Sequence, residues 1–96
     1  MRNRCYYIYI LASRRGALYI GFTGNLALRI EQHRAGLVGG HSARYRTDRL
    51  VYVEVAEDPE SGITREKQLK SWRREKKVQL IESANPYWED LAAQVV

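Results

Sequence analysis

The chain has 96 residues, 45% of them hydrophobic, with one cysteine and a formal net charge of +5. That length suits a single domain with one thin core, hiding about 60 to 65% of the surface its unfolded chain would expose. The composition excludes a disordered segment and a disulfide framework. Cys5 has no partner in the chain and is read as a small packed apolar residue, in keeping with a reducing cytoplasm. Arg2 and Arg4 before CYYIYILA imitate a secretion signal, but the run is rich in tyrosine and isoleucine, and a second strand-like run resumes after one turn. No apolar run approaches the roughly 18 residues of a membrane span, so no membrane partner is expected. Twelve of the sixteen basic residues are arginine. The planar guanidinium fork pairs bidentately with phosphate, so this bias favours a polyanionic partner, although a basic surplus also fits a merely solvated face.

Strands are expected at Tyr6 to Ala12, Ala17 to Phe22 and Leu50 to Ala56. In the first two, Ile8 and Ile10, then Leu18, Ile20 and Phe22, share one face, leaving Tyr7, Tyr9, Tyr19 and Gly21 on the other. For Tyr9 and Tyr19 to face each other across an antiparallel pair, the connection must have an odd residue count. A loop of Ser13, Arg14 and Arg15, with Gly16 free to take positive φ beside it, meets this.

Asn25 is a candidate N-cap for a helix from Leu26 to Ala35, stopped by Gly36. GLVGGHSARYRTDR then reads as a mobile basic loop, with His41 an incidental residue in it. Asp58-Pro59-Glu60 starts a second helix running to about Trp72, and a third spans Arg74 to Ala84, with Val78, Leu80 and Ile81 inward, before Asn85-Pro86. The order ββαβαα predicts an α+β fold, a small three-stranded antiparallel sheet flanked by about three helices.

Glu66 falls between Ile63 and Leu69, close to the stripe expected to face the sheet, where a carboxylate is costly unless a charge meets it. The alternative is a surface pair with Lys70 at i, i+4. Arg29 and His33 share a helix face by the same spacing, a pattern that solvated residues also give. No cysteine, histidine or carboxylate spacing supports a zinc site, and no phosphate-binding glycine loop is present. Each tyrosine also has a structural explanation as a favoured strand residue.

Tyr7-Ile8-Tyr9 followed by Tyr19-Ile20-Gly21 resembles the paired signature of the GIY-YIG nuclease superfamily. The stretch from ARYRTDRLVYVEVAEDPE through REKQLKSW to the Asn-Pro is similar to its small stand-alone bacterial branch. The resemblance covers roughly residues 5 to 91 of a single domain spanning 1 to 96. It implies an endonuclease that hydrolyses nucleic-acid phosphodiester bonds, DNA more than RNA. The implied active centre is Tyr19, Arg29 and Glu66, supported by Tyr9, His33 and Asn85. Tyr7 stands where the namesake glycine is expected.

On that resemblance Glu66 is the single protein ligand to one Mg²⁺ or Mn²⁺, since magnesium keeps several waters and takes further ligands from substrate. Arg29 pairs with the scissile phosphate. Tyr19 is the general base, although a phenol with an ordinary pKa near 10 needs help in that role. Tyr9 supports it and His33 orients or relays. Arg14, Arg15, Arg44, Arg46, Lys70, Arg73, Lys76 and Lys77 are candidates for holding the backbone, contacts that position without reading sequence. The competing reading is a nucleic-acid-binding module with this fold and little turnover.

Overall fold

The computed structural model describes residues 5–37 and 46–94. The order is β1 (Tyr6–Ala12), β2 (Leu18–Thr23), α1 (Leu26–Arg34), β3 (Arg49–Ala56), α2 (Pro59–Ser71), α3 (Arg74–Ala84) and a 3-10 turn (Ala92–Gln94). The sheet is antiparallel in the order β2-β1-β3. Among the described residues no helix is long and apolar enough to cross a membrane. The expected loop residues His41 and Arg44 lie outside the described residues.

The caps are the expected ones. Asn25 accepts from Leu28 N at 3.2 Å, and Asp58 accepts from Ser61 N at 2.8 Å with Pro59 following it. Gly36 ends α1 at φ 73°. These local bonds satisfy donors that a helix start otherwise leaves orphaned, which is why the boundaries were readable from short sequence windows.

The hairpin differs from expectation by one position. Ser13 N donates to Ala17 O at 2.9 Å, so the three loop residues are Arg14, Arg15 and Gly16, with Gly16 at φ 88°. Placing the glycine inside the loop supplies the left-handed residue that ends a three-residue connection. The parity survives, so the tyrosines share a face. Tyr9 pairs with Gly21, however, and Tyr19 with Leu11. The two phenols are therefore diagonal neighbours rather than direct partners.

The sheet is covered on both faces, where one thin core was expected. Ile8, Ile10, Ala12 and Ile20 pack with Leu69 of α2 and Ile81 of α3, edged by Trp72 and Leu80. On the tyrosine face, Tyr9, Leu11 and Leu50 pack with Leu26 and Ile30 of α1 and with Ala92. Each large apolar side chain fully buried this way stabilises by about 1.5–3 kcal/mol. Central strand β1 is therefore sealed from both sides. Ile63, expected to face inward, is exposed, and Gly62 takes the inward place. A Cβ there would lie 2.3 Å from the Phe22 ring, so glycine lets α2 approach the sheet. Cys5 is exposed rather than packed.

A bulge interrupts the β1–β3 ladder, since Ile10 pairs with Tyr52 and Leu11 with Leu50, leaving Val51 unpaired between them. It turns both Val51 and Tyr52 onto the isoleucine face while Leu50 stays on the tyrosine face. An extra residue of this kind locally breaks the ladder and leaves its own backbone groups to be satisfied elsewhere.

Candidate active site

Tyr9, the largest fully buried side chain, is the hub of the tyrosine face. Its ring runs over Gly21, where a Cβ would fall 2.3 Å from both Cζ and Oη. Only a residue without a side chain can stand across from Tyr9, which gives the glycine of Tyr19-Ile20-Gly21 a physical reason. The Tyr9 hydroxyl lies 3.0 Å from Nε2 of His33, which is buried on the last turn of α1. The Tyr19 ring packs edge-on against His33 at 4.8 Å between centroids and tilts against Tyr9 at 6.3 Å.

Arg29 is one turn earlier on α1, half-buried. It donates through Nη1 to Gln32 Oε1 at 3.1 Å, and its guanidinium favours the ionised form of the Tyr9 phenol. The Gln32 bond braces the guanidinium along its own helix. Glu66 comes from α2, in the other layer, and its charge is still felt at the Tyr9 phenol. Its carboxylate is 3.0 Å from Lys70 Nζ, with the Glu66 side chain 19% exposed. Both sequence readings of Glu66 therefore hold together: it is half-sequestered, and it pairs with Lys70.

The electrostatics separate an inner pair from an outer trio. Burial pushes the Tyr9 phenol up to about 12, helped by Tyr19 and Glu66 and opposed by the hydrogen bond and charge of Arg29. Burial also brings His33 down to about 4, with the Arg29 charge acting in the same direction. Both groups are neutral around pH 7 and can exchange a hydrogen bond without carrying charge. Tyr19, Arg29 and Glu66 are half-buried and reach solvent. These three side chains are open to a ligand from solvent, whereas Tyr9 and His33 are closed to it.

Asn85 stands apart from this group. It is buried, and its Nδ2 donates to Val51 O at 3.1 Å and to Glu89 O at 2.9 Å, while its Oδ1 accepts from Glu89 N at 3.0 Å. The side chain satisfies the carbonyl of the bulged residue and fixes the turn that follows α3. The segment beyond it is strapped down by Leu91 N donating to Leu50 O at 2.8 Å and by an Arg34–Asp90 ion pair of 2.5 Å.

Of the expected backbone-holding residues, Arg14, Arg15, Arg46 and Arg73 are exposed. Lys70 is engaged with Glu66, and Lys76 Nζ sits 4.1 Å over the Trp72 ring. Lys77 is half-buried. Sequence reasoning passed over Arg74, whose Nη1 donates to Gly16 O at 2.6 Å. Its place beside Arg73 at a helix start was the available signal. Among the described residues no group of three or more histidine, cysteine, aspartate or glutamate side chains gathers.

A family model for the GIY-YIG catalytic domain matches residues 5–79. A UPF0213 protein of Haloquadratum walsbyi is 37% identical over 81 residues, covering 83% of this chain and 90% of that protein. A UPF0213 protein of Staphylococcus haemolyticus is 32% identical over 77 residues, covering 80% and 94%. The solution NMR structure of a UPF0213 protein from Bacillus halodurans superposes with a TM-score of 0.59 at 28% identity, covering 90% of this chain and 92% of that one.

Proposed function

Because the chain belongs to the GIY-YIG catalytic domain family, a family of nucleases, we propose that it is a metal-dependent endonuclease. It hydrolyses phosphodiester bonds of nucleic acid, DNA in preference to RNA, with one divalent ion and little sequence specificity. The observation that supports this reading is that Tyr19, Arg29 and Glu66, carried by a strand and two helices, all bear on one buried phenol: the Tyr19 ring tilts against it at 6.3 Å, and the charges of Arg29 and Glu66 are felt there. Hydrolysis needs cationic charge on the phosphoryl oxygens and an acceptor for the proton of the attacking water.

Glu66 would hold the ion. The donor set fits Mg²⁺ or Mn²⁺, because one hard carboxylate suffices for a cation that keeps several waters and draws its other ligands from substrate phosphate. When bound, such an ion supplies positive charge beside the phosphoryl oxygens. Arg29 pairs with the scissile phosphate through its fork, held in place by Gln32. Tyr19 accepts the proton from water. Tyr9 keeps its own proton, since its pKa is near 12. It fixes His33 by their 3.0 Å hydrogen bond, and His33 in turn backs the Tyr19 ring. Asn85 positions the β3 bulge and the C-terminal strap rather than touching substrate.

The test is an assay of purified protein with Mg²⁺ or Mn²⁺ on single-stranded, duplex and branched DNA and RNA. Glu66→Gln and Tyr19→Phe should abolish cleavage while leaving binding intact. A parent protein that binds these substrates but cleaves none of them with any divalent ion would reduce the function to binding alone.

A further inference from the structure

At the hairpin end of the sheet, an open cleft of about 870 Å³ is lined by Arg14 and Arg15 from the β1–β2 turn, Arg46 and Asp48 from the approach to β3, and Arg74 from the start of α3. We propose that this cleft is a second phosphate site, which holds the nucleic-acid backbone at a distance from the scissile bond. The proposal rests on the nuclease reading for its ligand class, but on different residues.

Among the described residues, three separate chain segments deliver four guanidinium groups against one carboxylate into one concavity. Gathering like charges without a counter-anion is unfavourable, so the arrangement makes physical sense when an anion fills it. A smaller adjoining cleft of about 350 Å³ shares Arg14 and Asp48, but there three arginines meet two aspartates and Arg34 is already paired with Asp90 at 2.5 Å. The larger cleft is the one with charge to spare.

It is also partly built in advance. Arg74 is fixed by its 2.6 Å bond to the Gly16 carbonyl, and a Cβ on Gly16 would come within 2.9 Å of Arg74 Nη2. Fully buried Thr47 anchors the backbone between Arg46 and Asp48. A prepared guanidinium loses less side-chain freedom when it meets phosphate.

Ser13, at the base of the hairpin, is four residues along the chain from Tyr9, about 13 Å at strand spacing. Stacked nucleotides rise about 3.4 Å each along one strand. At that separation the cleft would take a phosphate other than the one that meets Arg29. Such interactions add affinity and register without base recognition.

The experiment measures binding of a fluorescein-labelled DNA duplex by anisotropy across a salt series, in chelator so that no cleavage occurs. The proteins compared are the parent, Arg15→Ala, the double variant Arg15→Ala/Arg74→Ala, Asp48→Asn, and Lys67→Ala as an exposed cation outside the cleft. The double variant should bind about tenfold more weakly or worse. Its slope of log affinity against log salt should flatten by about 0.9 for each phosphate that is no longer neutralised. Arg15→Ala, which removes neither partner of the Arg74–Gly16 bond, should give part of the same change. Asp48→Asn should tighten binding, and Lys67→Ala should leave it unchanged. Inorganic phosphate at the same ionic strength as the added salt should compete no better than the salt does.

If the parent binds and the double variant behaves like Lys67→Ala, the cleft is not a backbone site, while the nuclease reading stands. Displacement of DNA by low inorganic phosphate would likewise overturn it in favour of a free-anion site. A parent without salt-dependent binding removes both readings. Loss of binding in the cleft variants of a protein that never cleaves would uphold the cleft and remove hydrolysis.

Discussion

Gly21 stands opposite Tyr9 in the ladder, and the space where its side chain would be is filled by the Tyr9 ring, with Cζ and Oη each 2.3 Å from a hypothetical Cβ. A methyl group there must push aside a fully buried aromatic side chain. Gly21→Ala should cost about 1–3 kcal/mol, the usual range for overpacking a core. It should also lower cleavage by more than the stability loss accounts for, because the displaced phenol leaves His33 and Arg29. Chemical denaturation checks the first outcome, and cleavage rates measured well below the melting temperature check the second.

Stability should depend on His33 in a defined pH window. The unfolded imidazole takes up its proton near 6.5, whereas the buried one resists until about 4. The unfolded state therefore binds more protons between these values, and folding becomes weaker as pH falls from about 6.5 towards 4. The loss from this one group amounts to at most roughly 3 kcal/mol. His33→Gln should flatten the curve across that window, as read from melting temperatures in a buffer series. An unchanged slope would mean that the folded His33 takes up its proton as readily as the unfolded one.

Lys70 competes for the carboxylate assigned to the metal, at 3.0 Å from Glu66. Exposed pairs of this kind are worth about 0–1 kcal/mol. Lys70→Ala should lower the half-saturating Mg²⁺ concentration for cleavage by up to about fivefold, with a small effect on melting temperature. An unaltered metal requirement in this variant would mean that Lys70 does not compete for the carboxylate.

Away from the site, Glu54 accepts two hydrogen bonds of 2.9 Å from Arg65 and one of 2.5 Å from Tyr52, and Arg65 lies over Trp72. This network ties α2 to β3. The Arg65 hydrogen bond, with Tyr52 assisting, holds the Glu54 carboxyl below its usual range. Its stabilisation is present above the ordinary carboxylate pKa and is lost as pH falls through the depressed folded value. Glu54→Gln should cost about 1–2 kcal/mol near neutrality, a discounted figure because both side chains keep about a quarter of their exposure. The variant should also lose less stability on acidification below the His33 window, which melting curves can separate.

Whatever depends on neighbours a few residues apart was legible in the order of the amino acids. Asn25, Asp58-Pro59 and Gly36 marked helix ends because capping is settled within one turn. Alternation in Tyr6 to Ala12 assigned Tyr7 and Tyr9 to one face and Ile8 and Ile10 to the other because the strand repeat is two residues. The motif residues Tyr19, Arg29 and Glu66 were nameable from the family resemblance, without any geometry.

What rests on packing between distant segments emerged only in the folded chain. The one-residue shift that brought Gly21, not Tyr19, under Tyr9 came from Gly16 entering the turn, a choice that loop parity leaves open. The bulge at Val51 and the use of Asn85 to satisfy its carbonyl join segments 34 residues apart. The second buried face, which seals Tyr9 and keeps His33 neutral, exists because α1 and the C-terminal strap close over the tyrosines. Desolvation of that kind has no local signature, since it depends on what covers a side chain and not on what precedes it.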